Sequence, residues 1–430
     1  MKKRFHSMKY KVALSMLMLL LAFGCSKKAA SEGAEAEASE GEISGNLSFA
    51  TWDSNQSPGM LANIDLFVQA NPDVSVALEV TPWTEYWQKL RTAASSNNLP
   101  DLFWMHVIQF DLFASSDALM DLTDRIDSDP DVSLSNYPAD LSKLFQYQDR
   151  QYAIPKDFDT IGLWYNKTLF DEAGVEYPNE NWTWDDLVTA GKALTNEAEG
   201  IYGFLANNNE QEGWWNYIYQ NGGAVVRPDG RSGFDMPETI EAVQRYVDFI
   251  LKDGIAPPIA EADDQQFFSG KIAMRQMGSW MVSSMNSNEY ANANLDLAML
   301  PTGPKTRATI YNGLGYAISA ESKNPEAAWA FEKVLASEAG HRLQAEKGAA
   351  IPAFNNTLAP WANSFGSGFN LKAYPDQLQY AIGYPQAPGG AEWSPLMVET
   401  MGRLLSGEIG VEEGLTELAA KMNEIIDENK

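Results

Sequence analysis

Two α/β lobes are the architecture that this sequence predicts, and three observations lead there. The chain has 430 residues, more than one hydrophobic core usually organises. From about residue 46 to the C-terminus, β-type stretches alternate with amphipathic stretches of helical spacing. The hydrophobic share of 45% and charged share of 21% belong to an ordinary globule, and no period of solenoid length recurs.

The N-terminal segment stands apart from that pattern. A basic stretch, "MKKRFHSMKYK", precedes an apolar run from Val12 to Phe23, too short for a membrane span and suited to the apolar core of an export signal. Residues 1–24 are therefore expected to be a signal peptide. Cys25 is the only cysteine, so it forms no intramolecular disulfide. A lone thiol directly after an export signal resembles the bacterial lipoprotein pattern, which implies that Cys25 is lipidated and that contact with the membrane is through this anchor only. Residues 25–45, Ala-, Glu-, Ser- and Gly-rich, read as a disordered linker.

The folded part begins near Asn46 with "NLSFATW", a strand ending at a polar loop. "MLANIDLFVQA" is amphipathic and helical, and Asn71-Pro72 stops it. "VSVALEV" is the next strand, "WTEYWQKLRTAAS" the next helix and "PDLFWM" the third strand, a spacing that specifies a parallel sheet. "IGLWYN" reads as a strand, "KTLFDEAG" as a helix closed by Gly174, and "TWDDLVTAGKAL" as a helix capped by Thr183. "GIYGFLA" is expected to be a strand, with helices at 237–252 and 263–269. "FFSGKIAMRQMGSW" reads as a buried strand halted at Gly278-Ser279, followed by strands in "NLDLAMLP" and "NGLGYAIS". "NPEAAWAFEKVLAS" is a helix with Pro325 in its first turn. "PLMVETMGRLLSG" and "VEEGLTELAAKMNEII" are two amphipathic helices.

Charge narrows the function. The formal charge is −27, although residues 1–24 carry five positive charges and no acids. Such a balance repels phosphate backbones, so no nucleic-acid partner is expected. His6, His106 and His341 are scattered and there is no second Cys, so no metal is expected. No Gly-rich phosphate loop or nucleophile elbow occurs, and no cofactor is expected.

From Asn46 onward the chain resembles the extracytoplasmic solute-binding proteins of bacterial ABC transporters, in particular the carbohydrate-binding, maltodextrin-binding-protein-like group. The resemblance is carried by "PDLFWMH", "YAIPKDFDTIGLWYNKTLF", "NWTWDDL", "FSGKIAMRQMGSW", "LPTGP", "NGLGYAISAESKNPEAAWAFEKVL" and "GAEWSPLMVETMGRLLSGE", in shared order. It implies an α/β, two-lobed periplasmic-binding-protein fold with a ligand cleft between lobes and hinge crossings. Residues 46–155 with 308–355 would form lobe 1, and 156–307 with 356–430 lobe 2. It implies a monomer that binds a small-molecule carbohydrate, hands it to ABC transporter permease subunits and catalyses nothing.

The resemblance also marks candidate ligand residues. A pyranose has an apolar C–H face, and covering roughly 60 Å² of it with an indole contributes about 1.5 kcal/mol at about 25 cal/mol per Å². The platforms it implies are Trp52, Trp104, Trp214, Trp280 and Trp393. Gly278 would allow close backbone approach, and Ser279 would cap a short helix that presents Trp280. For the hydroxyl rim it implies Asp53, Asp157, Asp159 and Glu212, whose carboxylates can each accept two O–H bonds, with His106 as a further donor. Where the family often has a basic residue after Asp53, this chain has Ser54, which removes a charge partner. A phosphorylated ligand would want basic residues at these loops, which offer few; Lys305 and Arg307 are the nearest pair. The alternatives are a secreted glycoside hydrolase, which needs two carboxylates across a scissile bond, and a surface glycan adhesin.

Overall fold

The computed structural model describes residues 43–366 and 368–430. Cys25, the export segment and the linker as far as residue 42 lie outside the described residues, while Gly45 already belongs to the first strand. Among the described residues no helix is long and apolar enough to cross a membrane.

β1 (Gly45–Thr51) is followed by α1 (Ser57–Ala70), β2 (Val74–Val80), α2 (Trp83–Ser95) and β3 (Leu102–His106). β1 pairs in parallel with both β2 and β3, as the helix-length connections require. α3 (Val107–Ser115) then leads, through short helices at Thr123–Ser128 and Ala139–Lys143 and a small hairpin pairing Gln146–Tyr147 with Arg150–Gln151, to β4 (Ala153–Asp159) and β5 (Ile161–Asn166). α4 (Lys167–Ala173) closes at Gly174, whose φ of 66° is the left-handed turn that glycine accepts without strain. α5 (Trp184–Leu194) opens with a capping box in which Thr183 and Asp186 satisfy each other's backbone N–H. α6 (Pro237–Leu251), β6 (Met274–Gly278), β7 (Leu295–Ala298) and β8 (Thr309–Ile318) follow. The chain ends with α7 (Pro325–Ala336), α8 (Glu338–Glu346), β9 (Ile351–Pro352), β10 (Ala381–Gly383), α9 (Gly390–Leu405) and α10 (Val411–Glu428).

These strands make two sheets. The larger has the order β9–β4–β8–β3–β1–β2, with β10 added alongside β8; the smaller is β6–β5–β7. The chain leaves the larger sheet at Asp159 and enters the smaller at Ile161, so Thr160 alone spans them. The Thr160 hydroxyl donates to the Tyr374 carbonyl at 2.9 Å, and the Ile161 N–H donates to the Thr309 hydroxyl at 2.9 Å. Outward and returning crossings are therefore fastened to each other at the first residue of β8. The expected lobe boundary at 155/156 falls within β4, whereas that at 307/308 falls beside the start of β8.

Four expectations change. The sheet is not parallel throughout: β8 runs antiparallel to β3 and β4, and β5 is antiparallel to β6 and β7. β8 enters the larger sheet at the edge where β4 leaves it, so it has to run the opposite way. The "GIYGFLA" stretch is not a strand and makes only isolated bridges at Ile201 and Tyr202. Its Gly203 lies so close to α5 that a Cβ there would stand 2.2 Å from the Gly191 carbonyl oxygen. Of "FFSGKIAMRQMGSW", only Met274–Gly278 is strand. Ser279 caps nothing: its hydroxyl is buried without a partner, and Gly278 occupies the cap position.

The interior of the larger sheet is aromatic, with Phe49 meeting Phe331 of α7 edge-on at 5.6 Å. One polar side chain is out of place there. Glu332 of α7 is fully buried, and burial, only partly offset by the Ile154 backbone N–H and the Arg125 charge, drives its carboxyl well above the ordinary carboxylate value of 4.5. A folded-state pKa raised in this way gives stability that is complete below 4.5 and lost as pH climbs. Glu332→Gln, which cannot ionise, is therefore expected to stabilise the fold by about 1–3 kcal/mol near neutral pH. The gain should vanish as pH falls toward 4.5. Urea unfolding across pH checks this; an equal or negative effect at every pH contradicts it.

Candidate functional site

β8 brings the site together. In its register Leu314 lies opposite His106 on β3 and Asp157 on β4, and Asn312 lies opposite Asp159. The pairing slips between Leu314 and Gly315, where Asp157 and Pro155 are the successive partners, so Lys156 is the extra residue of a β-bulge. The bulge leaves the Leu314 N–H free to donate to the Asp157 carboxylate at 3.0 Å. It also turns Lys156 to the same side as Asp157. The buried ammonium pairs with that carboxylate, donates to Gln56 at 2.7 Å and sits 4.1 Å from the centre of the Trp104 ring.

Next along β4, Asp159 accepts from the Gln211 amide at 2.5 Å. Burial, reinforced by the neighbouring Asp157 charge, pushes its carboxyl well above the ordinary range. His106 caps α3 by accepting the Ile108 N–H on Nδ1 at 3.2 Å, and burial pushes its pKa down to about 3. A neutral ring that accepts on Nδ1 carries its proton on Nε2. The 2.9 Å contact between Nε2 and the Asn312 amide therefore needs the amide carbonyl to face the ring, leaving its NH2 end as the one without a protein partner.

These residues line a cavity of about 830 Å³, within the size range of small-molecule sites. Its wall on the larger-sheet side is indole. Trp52, just after β1, meets Trp83 at 5.1 Å and Trp87 at 5.8 Å, and Trp83 meets His106 edge-on at 5.2 Å. Trp83 and Trp87 are one helical turn apart on the same face of α2. Trp83 is 42% exposed, unusual for so large an apolar ring. Trp280 lines the cavity from the smaller-sheet side, just beyond β6.

Gly278 is the reason that Trp280 can lie there. A Cβ at Gly278 would stand 1.9 Å from the Trp280 ring, so the indole rests on the glycine itself. The Gly278 N–H donates to the Glu212 carboxylate at 3.1 Å, and its carbonyl accepts from the Tyr374 hydroxyl at 3.1 Å. Glu212 is held by Arg275 at 3.5 Å, which also pairs with Asp264 at 3.0 Å; Tyr374 is held by the Trp164 N–H at 2.8 Å.

Of the eleven candidate ligand residues, Trp52, Asp53, His106, Asp157, Asp159 and Trp280 line the cavity. Asp53 also caps the turn at Ser54–Gln56, accepting the Asn55 N–H at 2.9 Å. Glu212 and Gly278 lie behind Trp280 as its support. Trp104, Trp214 and Trp393 are at 0% exposure, each filling core rather than facing the cavity. Trp104 backs Trp52 at 5.1 Å and Trp214 packs between Trp215 and Phe234. Trp393 shares the buried face of α9 with Met397, Met401 and Leu404, while Ser394, Pro395, Val398 and Glu399 on the adjoining face line the cavity. It lies inside that helix, not ahead of it.

Cavity residues that the sequence reading missed include Trp83, Trp87, Gln211, Asn312 and Tyr384. The i, i+4 indole pair in "PWTEYW" was a usable signal for the first two. The others depend on register and on the kinked turn at Glu210–Trp214, where Gly213 leaves helical geometry (φ −121°, ψ −113°), which no local pattern announces.

Adding a methyl group at Gly278 tests the support of Trp280. Gly278→Ala is expected to lift the indole from its seat and increase acrylamide quenching of tryptophan fluorescence, an increase that disappears in a Trp280→Phe background. Unchanged quenching contradicts the arrangement.

The family model described as "Bacterial extracellular solute-binding protein" matches residues 52–342. A binding protein of Brucella abortus is 25% identical over 84% of this chain and 88% of its own length. The diacetylchitobiose binding protein of Streptomyces coelicolor is 28% identical over 63% of this chain and 64% of its own. Among solved structures, an ABC substrate-binding protein of Listeria monocytogenes, in complex with cycloalternan, superposes with a TM-score of 0.81. It is 24% identical, with 88% of this chain and 98% of that one covered, a likeness of fold: two lobes with strands and helices in each. The chain belongs to the bacterial extracellular solute-binding protein family.

Proposed function

We propose that this protein captures a sugar or oligosaccharide in the indole-walled cavity and delivers it to the permease of an ABC importer. In this reading it acts as a monomer tethered outside the cell membrane by a lipid on Cys25, and performs no catalysis. The observation that carries the reading is the pairing, in one cavity, of exposed indole surface with carboxyl and amide groups. Indole faces suit the C–H faces of a pyranose, and Asp157, Asp159 and Asn312 suit its hydroxyl rim. The binding of diacetylchitobiose by the Streptomyces coelicolor relative supports the same class of ligand.

The division of the cavity between two sheets supplies the mechanism. Trp280 comes from the smaller sheet, and Trp52, Asp157 and Asn312 from the larger. A ligand bridging both binds the closed arrangement more tightly than the open one, so its binding energy shifts the population toward closure. The proposed lobes, 46–155 with 308–355 and 156–307 with 356–430, would move about the paired crossings at Thr160 and Thr309.

Thermal-shift screening of neutral mono- and oligosaccharides tests the reading, because a ligand that binds only the folded state raises its Tm. With a bound sugar in hand, Trp280→Ala is expected to weaken binding by about 1–3 kcal/mol by calorimetry, with a smaller change in fold stability. Unchanged affinity contradicts the role of Trp280. Shortened oligosaccharides in a mass-spectrometric assay would instead establish a glycoside hydrolase, and binding without contraction in small-angle scattering a surface adhesin.

A further inference from the structure

We infer that the cavity selects a cationic carbohydrate, an amino sugar or an oligosaccharide containing one, with its amine free and protonated. This rests on the carbohydrate reading above and adds the charge of the ligand.

The first observation is a charge imbalance in the cavity wall. Asp53, Asp157, Asp159, Glu210 and Glu399 line it, against one guanidinium, Arg91. His106 adds no positive charge, since burial holds its ring neutral. Lys156 lies behind the wall and is committed to Asp157, Gln56 and the Trp104 face. Of the five carboxyl groups only Asp157 is in an ion pair among the described residues; Arg403, one turn along α9 from Glu399, adds a nearby positive charge there but is itself paired with Glu408. Asp159 is faced by Asp157, Glu212, the Gln211 amide and the Asn312 N–H, and Glu210 by the Tyr384 hydroxyl; neither environment contains a cation. A buried carboxylate without a counter-charge is costly, so burial makes Asp159 and Glu210 hold their protons above the ordinary carboxylate range, and a cation beside them would let them ionise. A ligand ammonium supplies the missing charge, whereas a neutral sugar leaves the imbalance and a uronate or sugar phosphate worsens it.

Two independent observations show that the acids belong to a ligand site. Asn312, 2% exposed, lines the cavity with one end of its amide unpartnered. The same side of the cavity carries indoles, Trp83 being the most open, and an indole face attracts an ammonium as well as stacking on a sugar ring. Amide groups at Gln56, Gln211 and Asn312 provide the hydroxyl contacts that a bare amine does not use. Recognition therefore calls for a sugar bearing a charge.

Calorimetry with matched pairs tests this at about pH 6, where a sugar amine is protonated. The pairs are glucosamine and glucose, galactosamine and galactose, chitobiose and cellobiose, and chitotetraose and cellotetraose, with putrescine as a sugar-free amine. At least one amino sugar should bind about tenfold or more tighter than its neutral partner, and the ratio should shrink in about 0.5 M salt. Glu399→Gln should weaken the amino sugar more than its neutral partner and so narrow the ratio; an unchanged ratio counts against the inference. Neutral partners binding as well or better overturn the inference, as does putrescine binding as tightly as any amino sugar. If no pair binds while other neutral glycans raise the Tm, the charge inference falls and the carbohydrate reading stands; if no sugar binds at all, both fall.

Discussion

The site depends on one irregularity in one strand. Along β8 the ladder to β4 slips by a residue, and Lys156 is pushed out of the pairing. Without the slip, Lys156 and Asp157 would project to opposite faces of the sheet, as neighbours in a regular strand do. With it, ammonium and carboxylate meet in the interior, and the Leu314 N–H, relieved of a strand partner, bonds the same carboxylate. One bulge thus neutralises a buried acid and places Trp104, Gln56 and Asp157 in a single polar-aromatic layer beneath the cavity.

The opposite wall is organised by a comparable economy of contacts around Gly278. Its N–H is anchored by Glu212 and its carbonyl by Tyr374, so the backbone under Trp280 is fixed at both polar groups. Tyr374 also accepts the Thr160 hydroxyl on its carbonyl, linking the seat of Trp280 to the crossing between the sheets. Any movement of the smaller sheet about that crossing carries Trp280 with it. Under the proposed function, a side chain that both moves with the smaller sheet and contacts ligand would be the coupling that a transport receptor needs.

Local elements were legible where local chemistry decides them. The Thr183 cap, the Gly174 stop and the helix over Trp83–Ser95 follow from residues within one turn. Strand direction did not, because the antiparallel course of β8 is set by a crossing more than a hundred residues away in sequence. The site was legible in part for the same reason. Trp52 and Trp280 sit just past strand ends, where a motif can point to them. Trp104 and Trp393 look equivalent in sequence but lie one step around the strand or helix, on faces that the core claims. Glu212 had the chemistry of a hydroxyl acceptor, and only the approach of Arg275 and the Gly278 N–H assigns it to support.

Fold, bulge and glycine seat converge on one claim: a sugar ring is held between Trp280 and the indoles of Trp52 and Trp83, above Asp157, Asp159 and Asn312. The most direct measurement is a crystal structure of the protein with a glycan bound. The account predicts density between those indoles, with the carboxyl groups and the Asn312 amide about 2.7–3.2 Å from ligand hydroxyl or amine atoms. Glycan seated elsewhere, for instance in the groove lined by Asn97, Leu99, Leu112 and Asp117, with the space between the indoles unfilled, would contradict it.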